Sequence, residues 1–319
     1  MILKHADDKS ARELQLRTLA DHPRLSRNAA EWARDELLRH QRGVQGERDA
    51  AHYLDSYLRD DPDRALIHDL RLVVGGVVAQ IDHLILTRGF VVYLLESKAF
   101  NGELRISAHG EFSVRYGQGR EYGIESPLEQ SRRHQAPLAQ LMQQLEIGAR
   151  FGAAPSFRHC VLVHPKGLIH RPPAKAFDTK DVIKADQFPS WHKAVVDERM
   201  STVSLLVSAA NMVSAATLRE FGEKLLRQHR PAPLPQLPAW VQAAVDMATA
   251  GRPAAAPVAR AAAAVPAPQP APAAEEPAQR RLVCAQCGAK ISFAEGRFCW
   301  NQPQRFGGAQ FCREHQAGR

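Results

Sequence analysis

The sequence predicts an α/β fold, a mixed sheet flanked by helices, joined through a spacer to a small metal-stabilised module. Three observations carry this. Three apolar runs of β-type composition follow one another between residues 66 and 98, with helical periodicity on either side. From Pro253 to Gln279, 13 alanines and 7 prolines among 27 residues leave no hydrophobic period. Beyond that stretch, four of the five cysteines crowd into residues 284 to 312.

Taken in order, residues 10 to 42 read as helical. In "NAAEWARDELLRH", Ala29, Trp32, Ala33 and Leu37 recur at helical spacing, and Gly43 is expected to close the helix. A second helix is expected from Gly46-Glu47 to about Arg59. Its apolar Ala51, Leu54 and Leu58 place Glu47 on the core-facing side. Strands follow near 66 to 74, 77 to 87 and 90 to 98, then a hairpin over 103 to 116 that turns at His109-Gly110. Ser126 and Glu129 have capping-box spacing and Pro127 sits at the first helical position, so a helix starts there, with Pro137 placed to bend it. "FRHCVLVHP" is a further strand, and residues 201 to 228 read as helix.

The Ala/Pro stretch cannot bury a core and is expected to be an extended spacer. The expected organisation is a helical lead over 1–42, a core over 43–165, the remainder of the α/β domain over 166–250, a linker over 251–280, and the cysteine module over 281–319. No run of about 18 apolar residues indicates a membrane span. The start of the chain lacks the apolar stretch of a secretory signal, and the cysteine distribution is unlike a disulfide framework, so a cytoplasmic protein is expected. A formal net charge of +8 and a pI near 9.4 favour an acidic partner such as nucleic acid.

The strand "VVYLLESKAF" is apolar through Leu95 and then carries Glu96 and Lys98 on one face, with Ser97 on the other. In the preceding strand Asp82 is expected to share a face with Val78, Leu84 and Leu86. A lone carboxylate among apolar neighbours calls for a metal ion or a cation. Together with Glu47, three acids and a lysine lie on the inward sides of their elements. That set suits metal-assisted phosphodiester hydrolysis. Asp82 and Glu96 would hold Mg2+ or Mn2+, Lys98 would orient or deprotonate a water or stabilise phosphate charge, and Glu47 would position a second metal or its water.

Asp82, thirteen intervening residues, then Glu96-Ser97-Lys98 resembles the Asp…Glu-x-Lys signature of the restriction-endonuclease-like, PD-(D/E)xK, superfamily. Gly46-Glu47, Ile81-Asp82-His83, Glu96-Ser97-Lys98 with Gly102, and Pro127-Leu128-Glu129-Gln130 resemble, in that order, the nuclease-related domain NERD. The resemblance covers about residues 43 to 165. It implies a four-stranded mixed sheet flanked by helices and a metal-dependent nuclease centre at Glu47, Asp82, Glu96, Lys98 and Gln130. Gln130 also suits this role physically, because it falls in the first turn of a capped helix beside exposed N–H groups. The competing reading is a catalytically idle nucleic-acid-binding or adaptor protein. His164 and His170, and the run Arg132, Arg133 and His134, read as surface residues.

In the C-terminal module Cys284-x2-Cys287 and Cys312-x2-His315, 24 residues apart, match the two knuckles of a tetrahedral zinc ribbon. Cys284, Cys287, Cys312 and His315 are the expected Zn2+ ligands, with Cys299 as the alternative to His315. Lys290, Arg297, Arg305 and Arg313 would serve phosphates of DNA. Phe293, Phe298, Trp300 and Phe306 would either stack on bases or form the module's core.

Overall fold

The structure, a computed structural model, describes residues 1–100, 102–148, 154–198, 212–250, 283–292, 295, 298–299, 302–306 and 309–317. The chain divides into two compact units, Met1–Pro253 and Ala254–Arg319. The expected linker over 251–280 lies outside the described residues, as does the part of the expected helix over 201–211.

The larger unit is mixed α/β. Its elements are β1 (Ile2–Lys4), α1 (Ser10–Ala20), α2 (Arg27–Leu58), β2 (Arg64–Val74), β3 (Val77–Thr87), β4 (Val91–Lys98), β5 (Glu103–Ile106), β6 (Phe112–Arg115), β7 (Glu121–Ile124), α3 (Pro127–Gln144), β8 (Ser156–Val163), β9 (Ile169–His170), β10 (Val182–Lys184), α4 (Phe188–Glu198), α5 (Ala215–Arg227) and α6 (Ala239–Thr249). The main sheet runs β1-β2-β3-β4-β8-β10, and a second sheet runs β7-β6-β5-β9. β2, β3 and β4 pair antiparallel, while β8 joins β4 in parallel. Six strands replace the four implied by the resemblance, because short β1 and β10 extend the sheet at its two edges.

β4 is covered on both faces, as its apolar run demands. Val92 and Leu94 pack with Leu138, Leu141 and Met142 of α3 and with Leu218, Phe221 and Leu225 of α5. Tyr93 and Leu95 pack with Ala50, Leu54 and Leu58 of α2 and with Phe188, Trp191 and Val195 of α4. α3 begins as its sequence signals: Ser126 Oγ accepts the Glu129 N–H at 3.4 Å, and Pro127 occupies the first turn.

Two helix boundaries are corrected. The stretch 10–42 breaks at residues 21 to 26, where Pro23 disfavours helical backbone at His22. Gly43 closes nothing, since α2 runs unbroken through Gly43 and Gly46 to Leu58. A mid-helix glycine costs about 1 kcal/mol, but here it serves packing. A Cβ at Gly46 would overlap that of Ala99, so the missing side chain lets α2 close on the end of β4.

The strand alternation is corrected as well. The β2–β3 pairing passes from His68↔His83 to Leu70↔Ile81, skipping Asp69 and Asp82, and Asp69 has φ +50. As a result Ile81 joins Leu84 and Leu86 in the α3-side core, and Asp82 does not share their surroundings.

Candidate functional site

The site sits where two strands part. β3 and β4 pair from Leu86↔Val92 to His83↔Leu95 and no further, whereas β3 stays with β2 as far as Val74↔Val77. Beyond that fork the Ser97 N–H meets the Asp82 carboxylate, Oδ2, at 2.8 Å. The polar end of β4 thus opens beside a carboxylate wedged between the strands.

Glu47, Asp82, Glu96, Lys98 and Gln130 line one cleft, with Gly43, Gln80 and His134 in its walls. Lys98 Nζ donates to Glu96 Oε1 at 2.9 Å and to Gln130 Oε1 at 3.1 Å, so β4 and α3 meet through the lysine. Glu96 is buried and Asp82 half-buried. Burial, then the charges of Glu96 and Glu47, push the Asp82 carboxyl well above its ordinary range, and the Ser97 N–H and Lys98 only partly offset this. Burial also raises Glu96, with Glu47 adding to it and Lys98 opposing. No ion pair reaches Asp82 among the described residues. The shortage of positive charge therefore centres on Asp82, beside a Glu96 whose Lys98 partner does not outweigh its burial, and hard oxygen donors in such surroundings fit a divalent cation.

Glu47 stands differently from its expected role. It is ion-paired to Lys9, and Lys9 Nζ also lies 3.5 Å from Asp69 Oδ2. Sequence reasoning missed both. Asp69 is buried on β2 and accepts Gln80 Nε2 at 3.2 Å and the Asp7 N–H at 3.3 Å. Nothing local marks Lys9, which precedes α1 and reaches Glu47 only through the tertiary fold.

A second polar group was also unforeseen. His68 Nε2 lies 2.9 Å from Asp55 Oδ1, His68 Nδ1 lies 2.6 Å from His83 Nδ1, and His83 Nε2 lies 2.7 Å from Ser97 Oγ. Burial pushes both imidazoles down in pKa, so the rings are neutral. With neutral rings one consistent order is that His68 donates to Asp55, His83 to His68, and Ser97 Oγ–H to His83. Ser97 thus ties this chain to Asp82 through its N–H. The signal available was the pair of histidines within buried strands, where an apolar residue is the rule.

Of the residues read as surface groups, His134 is half-buried and lines the cleft, while the others are paired: His164 with Asp49 at 3.1 Å, His170 with Glu103 at 3.0 Å, and Arg133 with Glu125 at 2.6 Å. Arg132 pairs with Glu129.

In the smaller unit, Cys284, Cys287, Cys312 and His315 each offer a ligand atom within 4.8 Å of the others. Cys287 Sγ and Cys312 Sγ are 3.9 Å apart, and His315 Nδ1 lies 3.7 Å from Cys284 Sγ and 3.1 Å from Cys312 Sγ. Metal bonds of about 2.0 to 2.3 Å give tetrahedral edges close to these spacings. Gly288 takes φ +68 after the first pair, as the knuckle turn requires. Burial opposes ionisation of Cys284, but N–H groups of Cys312, Cys287 and Gln286 outweigh it and bring the thiol to about 6. This Cys3His cluster fits a zinc module. Cys299 stands outside it, accepting the Phe311 N–H at 3.3 Å and Gln316 Nε2 at 3.4 Å. Phe306 is buried in the module's core and is not free to stack, whereas Phe298 is exposed. Phe293, Arg297 and Trp300 lie outside the described residues.

Residues 42–169 match the family model of the nuclease-related domain, NERD. No curated protein and no solved structure matches the chain significantly. Among the described residues, no helix is long and apolar enough to cross a membrane.

Proposed function

We propose that this chain is a metal-dependent nuclease that hydrolyses phosphodiester bonds in DNA, with the zinc module helping to hold nucleic acid. The observation that carries this reading is Asp82 at the strand fork, a carboxylate with no ammonium partner among the described residues, lining one cleft with the Glu96–Lys98 pair. Asp82 and Glu96 would hold Mg2+ or Mn2+. A divalent ion there supplies Lewis acidity to the scissile phosphate and to a water.

The remaining work falls to side chains of the cleft. Gln130 and Glu96 hold the Lys98 ammonium from two sides, which directs it into the cleft for a phosphate oxygen or a water. Ser97 fixes Asp82 by its N–H and is itself fixed through His83, so the carboxylate is positioned before substrate arrives. Exposed lysines and arginines of a +8 chain would attract the polyanionic backbone.

The test is degradation of plasmid DNA with Mg2+ or Mn2+. Lys98→Ala and Asp82→Asn should each lower the rate by about 100-fold or more, and chelator should abolish it. DNA binding without cleavage by the wild type would replace this reading with the idle nucleic-acid-binding adaptor.

A further inference from the structure

Four carboxylates from four elements converge on this part of the unit: Glu47 of α2, Asp69 of β2, Asp82 of β3 and Glu96 of β4. Side-chain cations divide them unequally. Lys9 bridges Glu47 and Asp69, whereas Lys98 serves Glu96 and no ammonium pairs with Asp82 among the described residues. We propose that Lys9 is a tethered cation at the edge of the cleft that holds Glu47, one of its lining acids, together with Asp69, so that the site takes a single divalent metal ion at Asp82 and Glu96. This rests on the nuclease reading only for the ion at Asp82 and Glu96.

Lys9 is not a surface lysine that happens to lie nearby. Its side chain is 22% exposed, and the segment carrying it is fastened at several points. Lys4 Nζ donates to the carbonyls of His68 and Asp69 at 3.0 and 3.1 Å. The Asp7 N–H donates to Asp69, and the Asp7 carboxylate pairs with Lys4 at 2.8 Å and His229 at 2.9 Å. The Lys9 carbonyl lies 3.3 Å from His40 Nε2 of α2. Every fastening leads to the strand irregularity at Asp69, or to the helix that bears Glu47, or to groups bonded to these.

Asp69 supports the same conclusion. It takes φ +50, a left-handed conformation costing a non-glycine residue roughly 1 kcal/mol. It is buried, yet both carboxylate oxygens have partners: Oδ2 has the Asp7 N–H and Lys9, and Oδ1 has the amide of Gln80. Such strain persists where the surroundings over-determine it. Here the surroundings are Lys9, the Asp7 N–H and the Gln80 amide, which together hold the carboxylate in place.

A second divalent ion would compete with the Lys9 ammonium for Glu47 and Asp69. A divalent ion needs oxygens at about 2.0 to 2.6 Å, and the Lys9 ammonium already draws Glu47 and Asp69 around itself. Glu47, Asp82 and Glu96 accordingly do not form a cluster within 4.8 Å among the described residues, whereas the zinc-type cluster of the other unit does. A second divalent ion would have to displace a partly buried ammonium from its partners.

The experiment is Mn2+ binding to the full-length, zinc-loaded protein, counted by calorimetry and by electron paramagnetic resonance. The wild type should bind one Mn2+, and Asp82→Asn should bind none. Lys9→Met, which keeps much of the chain's bulk without the charge, should bind two, and adding Asp69→Asn should return the count to one. Lys9→Arg should stay at one. A wild type that binds two ions overturns the proposal without any variant, which covers the case of a Lys9→Met protein that fails to fold. A folded Lys9→Met protein that still binds one also overturns it, as does absence of Mn2+ from both proteins. One Mn2+ in the wild type and two in Lys9→Met, with no DNA cleavage, would sustain the Lys9 proposal while removing the nuclease reading.

Discussion

The carboxylate cleft and the Cys3His cluster are both sets of metal-type ligands, but the fold stands in opposite relation to each. The cleft is held by strands and helices whose two main cores contain 19 and 14 buried residues. Those cores set the strand fork whether or not any cation is present. Among its described residues, the smaller unit has a core of five buried residues, two of them cysteines. Ordering a residue costs about 1 to 2 kcal/mol, and a module of under 40 residues has too little core to offset that by burial alone. In the larger unit the fold builds the site, and in the smaller one the site must build the fold.

The strongest way to break this contrast is to remove the metal. A zinc chelator added to the full chain should unfold residues 281–319, and Cys312→Ser should do the same, because one lost knuckle ligand opens the tetrahedron. The melting transition of the Met1–Pro253 unit should not move. Limited proteolysis with zinc released and restored reads both outcomes at once. A C-terminal unit that resists protease equally with and without zinc would end the distinction.

The second test asks the converse of the cleft. If the fold builds the site, neutralising the site should strengthen the fold. Asp82 is held with its carboxyl raised by burial and by two neighbouring acids. A raised folded-state pKa means stability that is present at low pH and lost as pH rises. Asp82→Asn removes that loss and keeps an oxygen for the Ser97 N–H. We expect the metal-free variant to be more stable than wild type by about 1 to 2 kcal/mol near neutral pH. The gain should vanish below the ordinary carboxylate range. Thermal melts across pH measure it, and a destabilised variant would mean that Asp82 is needed by the fold itself.

A smaller effect separates the units under acid. His192 is buried against Phe188 and Tyr93, with Nδ1 3.2 Å from the Tyr57 hydroxyl, and burial lowers it from 6.5 to about 4. Between those values the unfolded chain binds a proton that the folded chain does not, so stability falls as pH drops from 6.5 toward 4. His192→Phe should remove part of that slope in the larger unit. In the smaller unit acid acts by protonating metal ligands, so excess Zn2+ should protect it and leave the larger unit's slope unchanged. Following the two transitions separately in a pH series at low and high zinc decides the matter.

The same contrast explains what the sequence could disclose. The β4 run, the Ser126 cap and the cysteine pairs are local signals, each decided by residues a few positions apart, and the structure has strands, cap and cluster at those places. Gly43 misled because local propensity was overridden by α2 packing against two strands, with Gly46 set against Ala99. Strict alternation misled at Asp82 because the irregularity there is shared with Asp69, thirteen residues earlier on another strand. Lys9 was invisible for a related reason. Its partners are 38 and 60 positions away, and tertiary contacts, the pairing of β1 with β2 beside it among them, bring them together.

The smallest expected effect concerns Cys299, and it tests how far the metal's control of the smaller unit extends. This thiol is fully buried, yet it lies outside the ligand cluster. Its sulfur accepts from the Phe311 N–H and from the Gln316 amide, and the same amide donates to the Phe311 carbonyl at 2.7 Å. A serine hydroxyl can accept the same two hydrogen bonds, but it is smaller and more polar than a thiol in an apolar site. Cys299→Ser should therefore cost about 1 kcal/mol or somewhat more through packing and desolvation. Zinc content should stay at one per chain, and tetrahedral Cys3His coordination should be unchanged by X-ray absorption. In zinc-saturated protein that loss should appear only as earlier unfolding on chelation. Zinc absent from Cys299→Ser, beside zinc retained in His315→Ala, would move the fourth ligand to Cys299 and show that the cluster rearranges when metal binds.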